Sequence, residues 1–186
     1  MSTPPRTSQT RSRLTLLLIA VMFLAPFSIA AFLRFTGWTP PQSRNFGTLL
    51  QPPIDLSGLA LKRADGKDYG WQPEQNRWRI VVVPDPACTV ECSKVLDQLH
   101  RIWLTQGRKA DRIDVLWFGP LPAGDVQFRR LIRMRPEARL AALLPEAARP
   151  DAVPAYLVDP GGFVALHYKP GFDPAGMKQD LGKLVK

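Results

Sequence analysis

The sequence predicts an α/β protein in which helices flank a central mixed sheet and a single transmembrane helix precedes it. Three observations lead to this prediction. An uncharged, largely apolar run occupies residues 14–33. Further along, short β-branched runs alternate with amphipathic segments of helical period. The two cysteines of the chain, Cys88 and Cys92, lie four positions apart at the start of one such segment.

The apolar run, Leu14–Leu33, is long enough to cross a bilayer. At about 1.5 Å per residue it spans roughly 30 Å, the thickness of the hydrocarbon core. A cleavable signal peptide is the alternative, and Ser28 and Ala30 weakly match its small-residue cleavage pattern. Apolar residues continue as far as Phe35, beyond Arg34. This continuation favours an uncleaved anchor, which we place at residues 14–35.

The basic residues around the anchor predict its orientation. Three arginines precede it, no acidic residue lies before Asp55, and only Arg34 and Arg44 follow it closely. The positive-inside rule therefore predicts a cytoplasmic tail, residues 1–13, and export of everything after the helix.

The net charge of the chain is +9, and part of it lies around the anchor. From Arg44 onward, 21 basic residues face 16 acidic ones. This excess suits an anionic membrane surface or an acidic partner, whereas nucleic acid is a poor partner for an exported domain. We interpret the densest basic cluster as one solvated helix face. Its members are Arg129, Arg130, Arg133, Arg135 and Arg139.

Residues 36–55, rich in Pro, Gln, Ser and Asn at their start, are predicted to form a linker, and residues 56–186 a single domain. Strands are predicted at Leu59–Arg63 and Lys67–Trp71 (a hairpin around Asp65-Gly66), Arg79–Val83, Ile113–Phe118, Ala155–Asp159 and Phe163–Tyr168. Helices are predicted at Val90–Thr105, Asp125–Leu144 with an interruption at Pro136, and Asp173–Val185. A β-α-β unit followed by an antiparallel hairpin and a last helix is the thioredoxin arrangement.

The position of Cys88 and Cys92 suits redox or metal chemistry. A helix N-terminus stabilises a thiolate through its N–H groups and dipole, and it lowers the thiol pKa. Residues four apart share a helix face, so the two sulfurs can meet. A purely structural disulfide is an alternative, although a loop this short gains little chain entropy. A pair of incidental free thiols is another.

The segments RIVVV, CTVEC, SKVLDQL and YLVDPGGFVAL resemble the SCO/SenC group of thioredoxin-like, membrane-anchored factors in cytochrome c oxidase assembly. The resemblance covers roughly residues 56–186. It implies a bacterial inner-membrane protein whose domain lies in the periplasm. It also implies that Cys88 and Cys92 hold Cu(I), or exchange disulfides, for the copper site of oxidase subunit II.

Two positions depart from or extend this pattern. The family's copper-ligating histidine is matched by Asp151, a hard ligand that suits Cu(I) poorly. Val153-Pro154 precedes a strand at the point where thioredoxin-like domains carry a cis proline against the cysteines, so Pro154 joins the predicted site. A trans proline that opens a strand is the alternative. This Val-Pro pair resembles the TlpA-type thiol-disulfide oxidoreductases, although their C-x-x-C motif is absent.

The remaining ligand candidates are few. His167, on the last predicted strand, is proposed as a third copper ligand, although a structural role is the alternative; His100 is interpreted as a helix-packing residue. Two thiolates alone also bind soft Cu(I). Asp85, in the loop before Cys88, either tunes the thiols or is an ordinary loop acid. The alternative function is a non-catalytic scaffold that binds a membrane partner and keeps a structural disulfide.

Overall fold

The computed structural model describes residues 7–36, 45–122, 124, 127–150 and 152–185. The chain divides into two compact units, Met1–Ser43 and Arg44–Lys186. In the first unit, helix α1 (Thr7–Phe35) contains an apolar stretch, Ser12–Phe35, with a mean hydropathy of 2.6. This stretch is long and apolar enough to cross a membrane, as the sequence predicts.

The second unit is built on a six-stranded mixed sheet and a small two-stranded one. Its strands are β1 (Thr48–Asp55), β2 (Leu61–Lys62), β3 (Asp68–Tyr69), β4 (Trp78–Val82), β5 (Ile113–Phe118), β6 (Leu131–Met134), β7 (Ala155–Val158) and β8 (Phe163–Tyr168). The order in the main sheet is β1-β8-β7-β4-β5-β6. Strands β4, β5 and β6 run parallel to one another. Strand β7 pairs antiparallel with β4, β8 pairs antiparallel with β7, and β1 pairs antiparallel with β8.

Helices cover both faces of the main sheet. On one face, α2 (Val90–Thr105) and α4 (Pro174–Leu184) pack over a core that includes Ile80 and Val82. On the other, α3 (Ala138–Leu143) and the residues around β2 and β3 pack over a core that includes Val81. Apolar and polar residues do not alternate along residues 80–82 of β4 because both faces of this strand are buried. The predicted fold class is confirmed.

The predicted linker is wrong for residues 48–55. They form β1, which pairs with β8 at the edge of the main sheet. Its sequence hides this role because Pro52 and Pro53 interrupt it, and proline is tolerated only at strand positions that need no donor, such as an edge. The earlier part of the predicted linker, residues 37–44, lies outside the described residues.

The helix predicted over residues 125–144 is also wrong in its central part. Residues Leu131–Met134 form β6, parallel to β5, and the helix is limited to α3. Apolar residues at 131, 132 and 134 suit either period, and pairing with β5 decides between them. The basic cluster is therefore not a helix face, because it is divided among a turn, β6, a loop and α3.

Two buried charged side chains connect distant parts of the second unit. Arg79 of β4 is 2% exposed and donates hydrogen bonds to the Tyr69 hydroxyl and to several backbone carbonyls. Asp180 of α4 is fully buried and accepts hydrogen bonds from the backbone N–H groups of Phe46 and Gly47 at 2.8 and 3.0 Å. The Tyr168 hydroxyl donates a third at 3.0 Å.

Candidate functional site

The two cysteines lie where the chain leaves the centre of the sheet. After β4 the chain passes through buried Val83 and Pro84, turns at Asp85, and reaches Cys88 two residues before α2 begins. Cys92 is the third residue of α2 and points into the core beneath that helix. The end of a central strand and the first turn of a helix thus fix the two positions.

Cys88 and Cys92 form a disulfide, with their Cα atoms 5.8 Å apart. Cys92 is 2% exposed, whereas Cys88 is partly exposed and packs against the edge of the same core. Val90, two residues after Cys88, is 81% exposed. The pair is therefore accessible to solvent from the side of Cys88.

A hydrogen-bonded turn precedes Cys88. The Asp85 carboxylate accepts a bond from the N–H of Ala87 at 2.8 Å, and the Asp85 carbonyl accepts one from the N–H of Cys88 at 3.0 Å. Pro86 occupies the second position of this turn, where proline is favoured because its φ is already set. The carboxylate therefore orders the loop that carries Cys88.

The N-terminus of α2 supplies positive potential near the sulfurs. Thr89, at the N-cap position, makes no side-chain capping bond, so the helix end is not screened by a cap oxygen. The acid of the first turn, Glu91, is paired with Lys94 at 3.3 Å. Positive potential at this helix end therefore acts on the loop that carries Cys88.

Pro154 lies at the neighbouring strand end. Val82 pairs with Ala155, so the start of β7 is beside the end of β4 from which the cysteine loop departs. Val153 belongs to the same core cluster as Cys92. Among the described residues the cis peptide bond is Gln51–Pro52, and Val153–Pro154 is trans. The structure therefore agrees with the second interpretation of the sequence, a trans proline at the start of a strand, and not with a cis proline at Pro154.

The histidines do not join the cysteines. His167 is buried and stacks on Tyr156, on the sheet face beneath α3, whereas Cys92 packs beneath α2 on the opposite face. His100 stacks on Phe128 with ring centres 4.9 Å apart, as expected for a packing residue. Asp151 lies outside the described residues. Within the described ranges, no three His, Cys, Asp or Glu side chains form a group that could hold a metal.

The immediate contact of His167 is Glu146, a residue that the sequence does not single out. The Nε2 of His167 lies 3.6 Å from Oε2 of Glu146, and Glu146 has a positive φ of 62°. Burial lowers the pKa of His167 from its ordinary 6.5, Glu146 opposes the shift, and Lys169 adds to it. The fold therefore favours the neutral imidazole.

This depressed pKa predicts a pH dependence of stability. The unfolded chain binds a proton near pH 6.5, so stability from His167 is complete above that pH and is lost as the pH falls through the lower folded pKa. We expect His167→Phe, which keeps the stack on Tyr156, to reduce the loss of unfolding free energy between pH 7.5 and 5. Urea titrations at both pH values test this, and equal losses in the two proteins would contradict it.

Residues 78–186 match a protein family described as "Transmembrane-like, thioredoxin-like, C-terminal domain". The match covers more than half of the chain and includes both cysteines. The chain belongs to this family.

Solved structures share the fold at low sequence identity. The apo Sco1 protein of Thermus thermophilus superposes with a TM-score of 0.55 at 16% identity over 78% of this chain and 100% of that one. Copper-bound yeast Sco1 gives 0.51 at 15% identity, over 70% and 88%. An SCO1/SenC family lipoprotein of Bacillus anthracis str. Ames gives 0.51 at 14%, over 74% and 99%. No curated protein matches the sequence significantly. The SCO-like resemblance is confirmed at the level of the fold.

Proposed function

We propose that this protein is a membrane-anchored factor that exchanges disulfides with a partner polypeptide through Cys88 and Cys92. The observation that carries the proposal is the Cys88–Cys92 disulfide, which is exposed on the Cys88 side at the uncapped start of α2. A purely structural disulfide would need neither a partly exposed cysteine nor a helix N-terminus that favours a thiolate.

The proposed reaction begins from the reduced protein. The Cys88 thiolate attacks a partner disulfide, and the displaced partner sulfur leaves as a thiolate that takes up a proton. The Cys92 thiolate then attacks the mixed disulfide, which forms the Cys88–Cys92 bond and releases the partner with two thiols. Two electrons pass to the partner, and a dithiol donor must reduce the protein again.

The partner we propose is an apoprotein whose cysteine pair forms a copper site, as the SCO/SenC resemblance implies for oxidase subunit II. With the anchor in the bacterial inner membrane, the exchanging domain lies in the periplasm, where disulfides persist. Cu(I) delivery is less well supported, because His167 faces the other side of the sheet. The reduced pair would then offer only two thiolates from the described residues.

Single cysteine variants test the order of attack. We expect Cys92→Ser to form a stable mixed disulfide with a peptide disulfide, because Cys88 is the more accessible sulfur and nothing then resolves the intermediate. We expect Cys88→Ser to trap at least about tenfold less, since Cys92 is buried. Mass spectrometry of the full chain in detergent micelles measures the adduct in both variants and in the double serine control.

The reduction potential separates exchange from the scaffold alternative. A reduction potential below about −300 mV, together with no adduct in either variant, would contradict disulfide exchange and favour the alternative, a non-catalytic binding protein with a structural disulfide. Titration of the reduced protein with Cu(I), compared with Cys88→Ser, tests copper delivery separately. Binding that is lost in the serine variant would favour it.

A further inference from the structure

The loop before the cysteines suggests a role for an acid that the exchange reaction itself does not use. Asp85 makes two hydrogen bonds in the turn that ends at Cys88, one through its carboxylate to Ala87 and one through its carbonyl to Cys88. Pro84 is buried before it, and Pro86 fixes the next φ. The carboxylate bond is the part of this turn that a side-chain substitution can remove.

We propose that Asp85 is the positioning residue of Cys88, because its carboxylate closes the turn that holds the Cys88 thiol against Cys92. This inference rests on the proposed exchange function for its biological meaning. The quantity that Asp85 affects, however, is the equilibrium constant for forming the Cys88–Cys92 disulfide, and this constant can be measured without any partner.

The effect follows from chain entropy. A dithiol forms an intramolecular disulfide more readily when the chain already holds the sulfurs close, because less freedom is lost on closure. Without the carboxylate acceptor, the Ala87 N–H loses its partner and the turn is held by the carbonyl bond alone. Since one such bond contributes modestly, we expect a roughly threefold to tenfold drop in the equilibrium constant for disulfide formation.

A charge effect is the competing explanation, and one substitution distinguishes the two. Asparagine keeps a side-chain oxygen that can accept the Ala87 bond, but it carries no charge. The other charged side chains near the start of α2, Glu91 and Lys94, pair with each other and are unchanged. If position matters, Asp85→Asn behaves as the native chain, and Asp85→Ala does not.

The experiment equilibrates the full chain in detergent with glutathione redox buffers and measures the oxidised fraction. We expect Asp85→Asn to stay within about twofold of the native constant and Asp85→Ala to show the threefold to tenfold drop. Asp55→Ala is the matched control, because the Asp55 carboxylate makes the same type of bond, to the N–H of Ser57 at 2.8 Å, away from the cysteines. An unchanged constant in Asp85→Ala, or equal changes in Asn and Ala, would overturn the proposal.

Two further measurements keep the outcome decisive. If Asp85→Ala does not fold, Asp85→Ser, with a shorter acceptor, replaces it and is expected to lie between the other two variants. If glutathione does not open the native disulfide, the pair is a strongly reducing one, and the exchange function is judged by the adducts of the single cysteine variants. The constants are then compared in dithiothreitol buffers, where Asp85 is still tested.

Discussion

Replacing Arg79 with methionine is expected to lower the free energy of unfolding of the second unit by about 3–5 kcal/mol. The guanidinium is 2% exposed and bonds oxygens from three separate segments, so its loss leaves several buried acceptors without donors. The acceptors are the Tyr69 hydroxyl and the carbonyls of Trp71, Arg77, Asp159 and Pro160. Arg79 also lies over the Trp71 ring, 5.4 Å from its centre.

Urea denaturation followed by tryptophan fluorescence measures this loss. Arg79→Lys should recover only part of it, because a single ammonium cannot reproduce the planar fork of donors. The control is Arg139→Ala, since Arg139 is exposed and its replacement should stay within about 0.5 kcal/mol of the native value. A methionine variant as stable as this control would show that the Arg79 contacts contribute little.

Replacing Asp180 with alanine is expected to cost about 2–4 kcal/mol. The fully buried carboxylate of α4 accepts from two backbone N–H groups near residue 46, from the Tyr168 hydroxyl and from the Lys183 ammonium, and all four lose their acceptor. Hydrogen bonds to a charged group are stronger than neutral ones, so asparagine should restore only part of the loss. The unfolding free energy of the full chain in detergent measures the change.

The matched control for Asp180 is its exposed neighbour, Gln179→Ala, which lies on the same helix and should change stability by less than about 0.5 kcal/mol. Proteolysis provides a second readout. Since Asp180 ties down the start of the second unit, cleavage near Phe46 should become faster in Asp180→Ala than in the control. Equal cleavage rates would contradict the anchoring role.

Local sequence patterns predict the central elements of this fold well. Helix α2 and strand β5 have the predicted bounds. The helical hydrophobic period of α2 and the β-branched run of β5 both agree with which residues the fold buries. The β2–β3 hairpin follows from Asp65-Gly66, although its pairing is limited to two residues on each strand.

The elements that sequence reasoning misses depend on distant partners. Strand β1 joins the sheet through β8, more than a hundred residues later, and β6 is a strand because β5 lies beside it. Arg79 and Asp180 give no local sign of their roles. A charged residue inside an otherwise apolar buried run is the one signal that would have pointed to Arg79.

The cysteine pair is the part of the site that the sequence predicts, because spacing, strand and helix start are all local. The role of His167 depends instead on which sheet face it occupies. A side chain on a strand changes face with each residue, and the bulge between Leu157 and Val158 alters the register of β8 before His167. Spacing along the chain therefore cannot decide whether His167 meets the sulfurs.

The prolines of β1 have a consequence for behaviour at high protein density. This strand is the outer edge of the main sheet, and an exposed edge offers N–H and C=O groups to any second strand that approaches. Pro52 and Pro53 remove two of those donors in mid-strand. Copies of the protein held at high density are thus discouraged from joining edge to edge into aggregates.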